Sequence, residues 1–412
     1  MKVLHLSYHE KTGGAAIAAN RIHNSLLKHS VDSMMLVKNK TSKSEKVIIS
    51  ENICENFFDK LNLFFQRRFD RFNSNINEHK ISKSYNLLPT FKTSLIKKIN
   101  PDVVNLHWIG NNFISFREIS KINKPIIWTL HDMWPYCGSE HYSFENRYID
   151  GYTKSNSRKN KKFLSLDFDR IVWSRKKKYL NEKINFISTS TWQEENLKKS
   201  FLFKNNLRKK IFYPINYEKW SRKDKILSRE KLNLPLDKKI LLFISERIDN
   251  PIKGFDIIKK ILKDEDFKDC YLVVLGTKNK EKFENLKINF KFCEKVEDDL
   301  NYLLSIFSSA DLLLAPSKLE SFGIVAQEAA GCNLPVVAFS ETGFEDTISH
   351  MRSGYLAKNN DIEDFKYGVK WCLDSHNYDT IFSSSRDIVK NKFNEDFIAK
   401  EYINFYEEII NG

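Results

Sequence analysis

The chain reads as an α/β protein built from two doubly wound, parallel-sheet domains, and three observations lead to that expectation. Its 412 residues exceed what one core organises and suggest two domains of roughly 200 residues each. Short apolar runs alternate with longer helical stretches, the pattern of parallel strands joined by helical crossovers. Hydrophobic residues at 41% and aromatics at 13% suffice to fill two substantial cores.

Taken in order, residues 3–8 form a short apolar strand, and Thr12-Gly13-Gly14 leads from it into a helix of small residues over 15–28. Strand, glycine turn and helix suit a nucleotide-binding first unit, but G-x-G-x-x-G is absent, which disfavours a cofactor dehydrogenase. The paired Gly13 and Gly14 allow close backbone approach. Further strands are expected at 33–37, 103–107, 126–131 and 186–190, with His107 and His131 at strand carboxyl ends, where such sheets bind ligands. Residues 211–215, broken by Pro214, read as the last strand of a first domain spanning 1–215. A charged stretch then leads to strand 240–245 of a second domain, 216–393, with later strands at 271–275, 288–292, 312–315 and 336–339. Residues 394–410 form an amphipathic terminal helix.

Lys and Arg exceed Asp and Glu by 67 to 53, a net charge of +14 that implies attraction to phosphates. Charge alone leaves nucleic acid, an anionic membrane surface and a nucleotide-linked substrate open, but no zinc finger, bZIP pattern or RNA-stacking signature accompanies it. Nucleic acid is therefore not an expected partner. Six cysteines are scattered without a C-x-x-C, which points to reduced thiols in a cytoplasmic protein and to no metal site. The N-terminal apolar run is too short for a signal peptide, and no stretch approaches the roughly 20 apolar residues of a membrane span.

The most informative stretch is 310–331, ADLLLAPSKLESFGIVAQEAAG. A buried strand ends at Pro316, a loop carries Glu320, and a helix over 324–330 follows, with Gly331 as its expected C-cap. The amides of Phe322, Gly323, Ile324 and Val325 lie at the helix start, where the macrodipole favours an anion. Glu328 lies at least a turn into the helix. The frame PSxxESFGxxxxEAxG, with seven residues between its two glutamates, resembles the donor-site signature of the retaining family-four glycosyltransferases of the GT-B fold. The resemblance continues in Lys253-Gly254, in 342–346 and in 353–356, and reaches the N-terminal half through DVVNLHW, which contains His107, and PIIWTLHDMWPY, which contains His131.

The resemblance implies two Rossmann-like domains facing across a cleft, with the terminal helix 394–412 packing back on the first. It implies transfer of a hexose-type sugar, with retention and without metal, from a UDP-sugar or GDP-sugar to a glycan or lipid-linked glycan of a surface polysaccharide. Glu328 is then expected on the donor ribose, Glu320 and the 322–325 amides on the sugar, and Arg247 and Lys253 on the diphosphate. His131 falls on the acceptor and sugar side, with Asp132 and Trp134-Pro135 fixing its loop, and His107 is an acceptor-side candidate. Gly13 and Gly14 are expected near the donor phosphates or the acceptor. Two other readings are a nucleotide-sugar epimerase of the same fold and a non-catalytic basic module that binds glycan or membrane.

Three segments lie outside these motifs. Residues 55–73 carry Phe57, Phe58, Leu61, Phe64, Phe65, Phe69 and Phe72 at helical spacing with Arg67, Arg68 and Arg71 among them, which fits either a core helix or an interfacial helix on anionic lipid at the inner face of the membrane. Basic clusters at 158–162 and 175–178 fit solvated faces or anionic lipid. Asp167-Phe168-Asp169 spells the D-x-D of metal-dependent transferases, but it opens a helical pattern with no preceding strand and is read as coincidence.

Overall fold

The computed structural model describes residues 1–50, 58, 61, 62, 64, 68, 81–157, 166–180, 183–276, 283, 286, 288–294 and 299–412. The chain divides into two compact units, Met1–Pro214 with Asp396–Gly412, and Ile215–Glu395.

Unit 1 contains strands β1 (Lys2–His9), β2 (Asp32–Asn39), β3 (Val47–Ile49), β4 (Val103–Leu106), β5 (Ile126–Thr129), β6 (Ile184–Ser188) and β7 (Arg208–Lys210). They form one parallel sheet in the order β3-β2-β1-β4-β5-β6-β7. The near-continuous apolar character of the inner strands follows from burial on both faces, with Leu4, Leu6, Val104, Leu106, Ile126, Trp128 and Phe186 in one core. The terminal helix Glu395–Asn411 belongs to this unit from Asp396 onward, and its buried Tyr406 accepts a hydrogen bond from Asn105 of β4 at 2.6 Å.

Unit 2 contains β8 (Lys239–Ser245), β9 (Cys270–Gly276), β10 (Asn289–Cys293), β11 (Leu312–Ala315), β12 (Val336–Phe339) and β13 (Gly354–Ala357). These too form one parallel sheet, ordered β10-β9-β8-β11-β12-β13. Asp311 pins the start of β11. Its carboxylate accepts from Arg229 at 2.7 Å, from Lys225 at 2.5 Å and from the Ile240 amide at 2.6 Å, and Arg229 also donates to the Ser309 carbonyl.

Several local expectations are corrected. The last strand of unit 1 is Arg208–Lys210 rather than 211–215, because Pro214 cannot donate to a ladder, and its three cations suit an exposed sheet edge. The Ile211 amide still donates to the Ser188 carbonyl, so the run continues as a single contact beyond the strand. Gly331 is the last helical residue rather than the cap, which is Cys332. A Cβ at Gly331 would lie 3.1 Å from Trp220 atoms, so packing explains this glycine better than helix termination does. Strands β3 and β13 were not expected, since each is three or four residues long.

The stripe over 55–73 falls largely outside the described residues. Of its members, Phe58 and Leu61 are half-buried and Phe64 is 61% exposed. Residues 158–162 also lie outside the described residues. Among the described residues, no helix is long and apolar enough to cross a membrane.

Replacing Asp311 by Ala leaves the Arg229 guanidinium buried without its carboxylate. The expected cost is about 3–5 kcal/mol, read as a lower urea midpoint at unchanged m-value; a midpoint within error of the parent would contradict the anchoring role.

Candidate active site

In each sheet the strand order reverses once in sequence, between β1 and β4 and between β8 and β11. The carboxyl ends of strands at such a reversal are the general ligand position in open parallel sheets. The residues singled out in the sequence divide between these two places.

In unit 2, β8 leads through Arg247 to a single turn, Pro251–Lys253, and then to Gly254. Gly254 has φ 72°, and a Cβ there would sit 2.0 Å from the Pro316 carbonyl oxygen, so only glycine lets the two loops touch. Beside this contact the Lys318 amide donates to the Ile252 carbonyl at 2.8 Å. Gly323 repeats the device at φ 86°, where a Cβ would meet the Phe344 ring at 2.3 Å. The Gly343 amide donates to the Glu320 carbonyl at 2.8 Å. Loops 251–254, 316–323 and 342–344 thus interlock.

They hold one ion pair. Lys253 Nζ donates to Glu320 Oε2 at 2.7 Å, and Glu320 Oε1 accepts from the Ser321 amide at 3.2 Å. The helix Ile324–Gly331 starts at Gly323 without a side-chain cap, and buried Phe322 precedes it. Ile324 and Val325 are half-buried in its first turn. Glu328, 6% exposed, follows a turn later. Arg247 stands apart: its side chain is 64% exposed, and its Nε lies 3.8 Å from Asp249. The structure therefore joins Lys253 to Glu320, which the sequence had on different parts of the donor, and directs Arg247 to Asp249.

In unit 1, Gly13 is the N-cap and Gly14 the first residue of the helix Gly14–Lys28, and a Cβ at Gly14 would meet nothing within 4 Å. Packing does not demand that glycine. His107 and His131 follow β4 and β5, and they are joined directly, His107 Nδ1 to His131 Nε2 at 2.9 Å. His107 Nε2 contacts His5 Nδ1 at 2.9 Å, and His131 Nδ1 contacts the Tyr213 hydroxyl at 2.6 Å. Both ring nitrogens of His131 are thus engaged inside the unit. Asp132 fixes the loop as expected, accepting from the Trp108 indole at 3.0 Å and the Trp134 amide at 2.9 Å, and it pairs with His141 Nδ1 at 2.6 Å.

Sequence reasoning missed His5, Tyr213 and His141. His5 carried a signal, since it interrupts the apolar strand β1 on a sheet buried on both faces. Burial pushes His5 and His107 well below their usual range, helped by His23 for the first and by His5 and His131 for the second. Burial also lowers His131 to about 4, against the opposing pull of Asp132, and His23 to about 4 against Glu10.

The D-x-D carboxylates are engaged elsewhere. Arg147 donates to Asp167 at 2.5 Å, and Lys83 donates to Asp169 at 2.9 Å, with Ser139 also bonded to Asp169. Among the described residues, no group of three His, Cys, Asp or Glu could hold a metal ion. Cys137, Cys270, Cys293, Cys332 and Cys372 are free and buried.

Residues 224–392 match the family model described as glycosyl transferases group 1. The matched residues fall within unit 2. Over the full length, the chain is 24% identical across 416 residues to an uncharacterized 41.2 kDa protein in the cps region of Klebsiella pneumoniae, covering 99% of each. For two other curated relatives the chain spans 49% and 41% of their length. Among solved structures, sucrose-phosphate synthase from Thermosynechococcus elongatus superposes with a TM-score of 0.72 at 18% identity, covering 100% of this chain and 99% of that one. Anabaena HepE in complex with UDP-glucose superposes with a TM-score of 0.64 at 14% identity, covering 99% and 100%. The chain has the GT-B fold, with two Rossmann-like parallel-sheet domains.

The buried neutral histidines make stability depend on pH. Unfolded histidines titrate near 6.5, whereas His131 and His23 take up a proton only near 4. Between these values the unfolded chain binds more protons, so stability is full above about 6.5 and falls as pH drops toward 4. The apparent Tm should decline steadily over that window; a flat Tm from pH 7 to pH 5 would contradict the burial of neutral rings.

Proposed function

We propose that the protein is a retaining glycosyltransferase that moves a hexose-type sugar from a nucleotide diphosphate sugar to a hydroxyl of a glycan or lipid-linked glycan during surface polysaccharide synthesis. The observation that carries this reading is the Lys253 and Glu320 pair beside the uncapped start of Ile324–Gly331, at the strand-order reversal of the unit that matches the glycosyl transferases group 1 model. The UDP-glucose bound by HepE and the cps-region relative support the donor class and the biological setting.

The chemistry follows from where charge develops. As the glycosidic bond breaks, the diphosphate gains negative charge, which Lys253, Arg247 and the amides of Phe322, Gly323, Ile324 and Val325 can stabilise. Lys253 already holds Glu320, so donor binding divides one cation between a fixed carboxylate and the phosphate. Glu320 is thereby held in place to meet sugar hydroxyls, while Glu328 accepts from the ribose. The departing phosphate oxygen takes the acceptor proton, which removes the need for a strong protein base. His131 serves the acceptor side from unit 1, and Gly13 and Gly14 leave backbone room for substrate. With these cations on the diphosphate, transfer needs no divalent metal.

Kinetics on a panel of UDP- and GDP-sugars test the roles. Lys253→Met and Glu320→Gln should each lower kcat by roughly 10²-fold, and the double variant should lose little more than the worse single one. Fully multiplicative losses would separate the two side chains. Glu328→Gln should raise donor KM more than it lowers kcat, and an unchanged KM would remove the ribose role. Activity should persist in excess chelator; loss restored by manganese would overturn metal independence.

A further inference from the structure

The histidines of unit 1 carry more than the acceptor-side role given to one of them. His5, His107 and His131 stand head to tail, each joined to the next by one ring nitrogen from each partner, and His131 ends on the Tyr213 hydroxyl. Each nitrogen–nitrogen contact accommodates one proton. Three neutral rings so arranged have only two self-consistent states. Either every ring carries its proton on Nδ1 and His131 donates to Tyr213, or every ring carries it on Nε2 and Tyr213 donates to His131.

The two ends select between these states. At the inner end, His5 is fully buried, and among the described residues its Nε2 has no hydrogen-bond partner. A bare nitrogen there leaves an unsatisfied acceptor, whereas the reverse state leaves an orphaned buried N–H, the rarer condition in folded proteins. At the outer end, a Tyr213 oxygen that accepts from His131 keeps its own hydrogen to donate, and the Leu130 carbonyl lies 3.4 Å away. That carbonyl also receives the Thr189 hydroxyl at 3.0 Å. Both ends favour protons on Nδ1.

The surroundings make the chain a lock rather than a conduit. A proton cannot enter from water through His5, which the sheet seals, and the His23 ring beside it lies edge-on at 6.0 Å with its own bond to Ser33. Asp132, next to His131, has its carboxylate committed to Trp108, Trp134 and His141. We propose that His5, His107, His131 and Tyr213 form one hydrogen-bonded chain of fixed polarity, every ring protonated on Nδ1, in which His5 and His107 are positioning residues that make Tyr213 a directed hydrogen-bond donor. The functional part rests on the acceptor-side role proposed for His131; the polarity itself does not.

The test is a tautomer measurement on the full chain labelled with nitrogen-15 in histidine. Long-range proton–nitrogen correlations at neutral pH report which ring nitrogen is protonated, and single substitutions assign the signals. His5, His107 and His131 should all carry Nδ1–H; any one of them in the Nε2–H or charged form would overturn the chain. A kinetic arm reads its consequence. His107→Leu should lower kcat by roughly 10- to 100-fold with donor KM little changed, and His107→Gln, whose amide both accepts and donates, should recover most of that loss. Equal losses in the two variants, or none, would remove the positioning role even with the tautomers as expected. Failure of the parent protein to transfer from any donor would refute the proposed function and the positioning role with it, leaving the tautomers to decide the polarity alone.

Discussion

Parallel strands cannot be joined by tight turns, and the crossovers this forces determine where the molecule keeps its chemistry. When successive crossovers run in one direction along the sheet, their loops fold over the same face; where the direction reverses, adjacent loops part. Each unit contains one such reversal, beside β1 in the first and beside β8 in the second. The candidate site residues of unit 2 sit there, where the loops after β8 and β11 bring backbone amides and side chains together. Hydrophobic burial on both sheet faces supplies the stability that lets these loops remain polar.

The two reversals use different physics. In unit 2, glycines let three loops approach to within contact, and the result is a fixed cation–carboxylate pair beside an uncapped helix start. In the proposed reaction its work is electrostatic: charges held in place before substrate arrives need no reorganisation when charge moves. In unit 1, burial suppresses charge on the imidazoles, and hydrogen-bond direction takes its place as the organising quantity. A neutral chain of this kind can present a donor to a hydroxyl without placing a cation among buried apolar strands.

Much of this was legible in the sequence, and the limits are physical. Strands such as 240–245 and 312–315 declared themselves because burial on both faces demands an unbroken apolar run, and the order of strand, loop and helix placed Glu320 on the loop and Glu328 within the helix, as in the structure. The short strands Arg208–Lys210 and Gly354–Ala357 did not, since a few residues at a sheet edge are fixed by their neighbours rather than by their own pattern. The Lys253 and Glu320 pair joins residues 67 positions apart, and His5 and His107 are 102 apart. Contacts of that span are set by sheet order, which no local pattern encodes. The D-x-D illustrates the converse: a local pattern with a metal-binding look, whose carboxylates the fold assigns to Arg147 and Lys83.

The stereochemistry of transfer tests the account most directly. With an α-linked nucleotide sugar as donor, the anomeric proton coupling of the first-formed product, read by proton NMR before any mutarotation, reports whether the new bond lies on the face the diphosphate left. Transfer of the acceptor proton to the departing phosphate oxygen, on the face the diphosphate leaves, requires an α-linked product. A β-linked product would demand a protein base on the opposite face and would contradict the account.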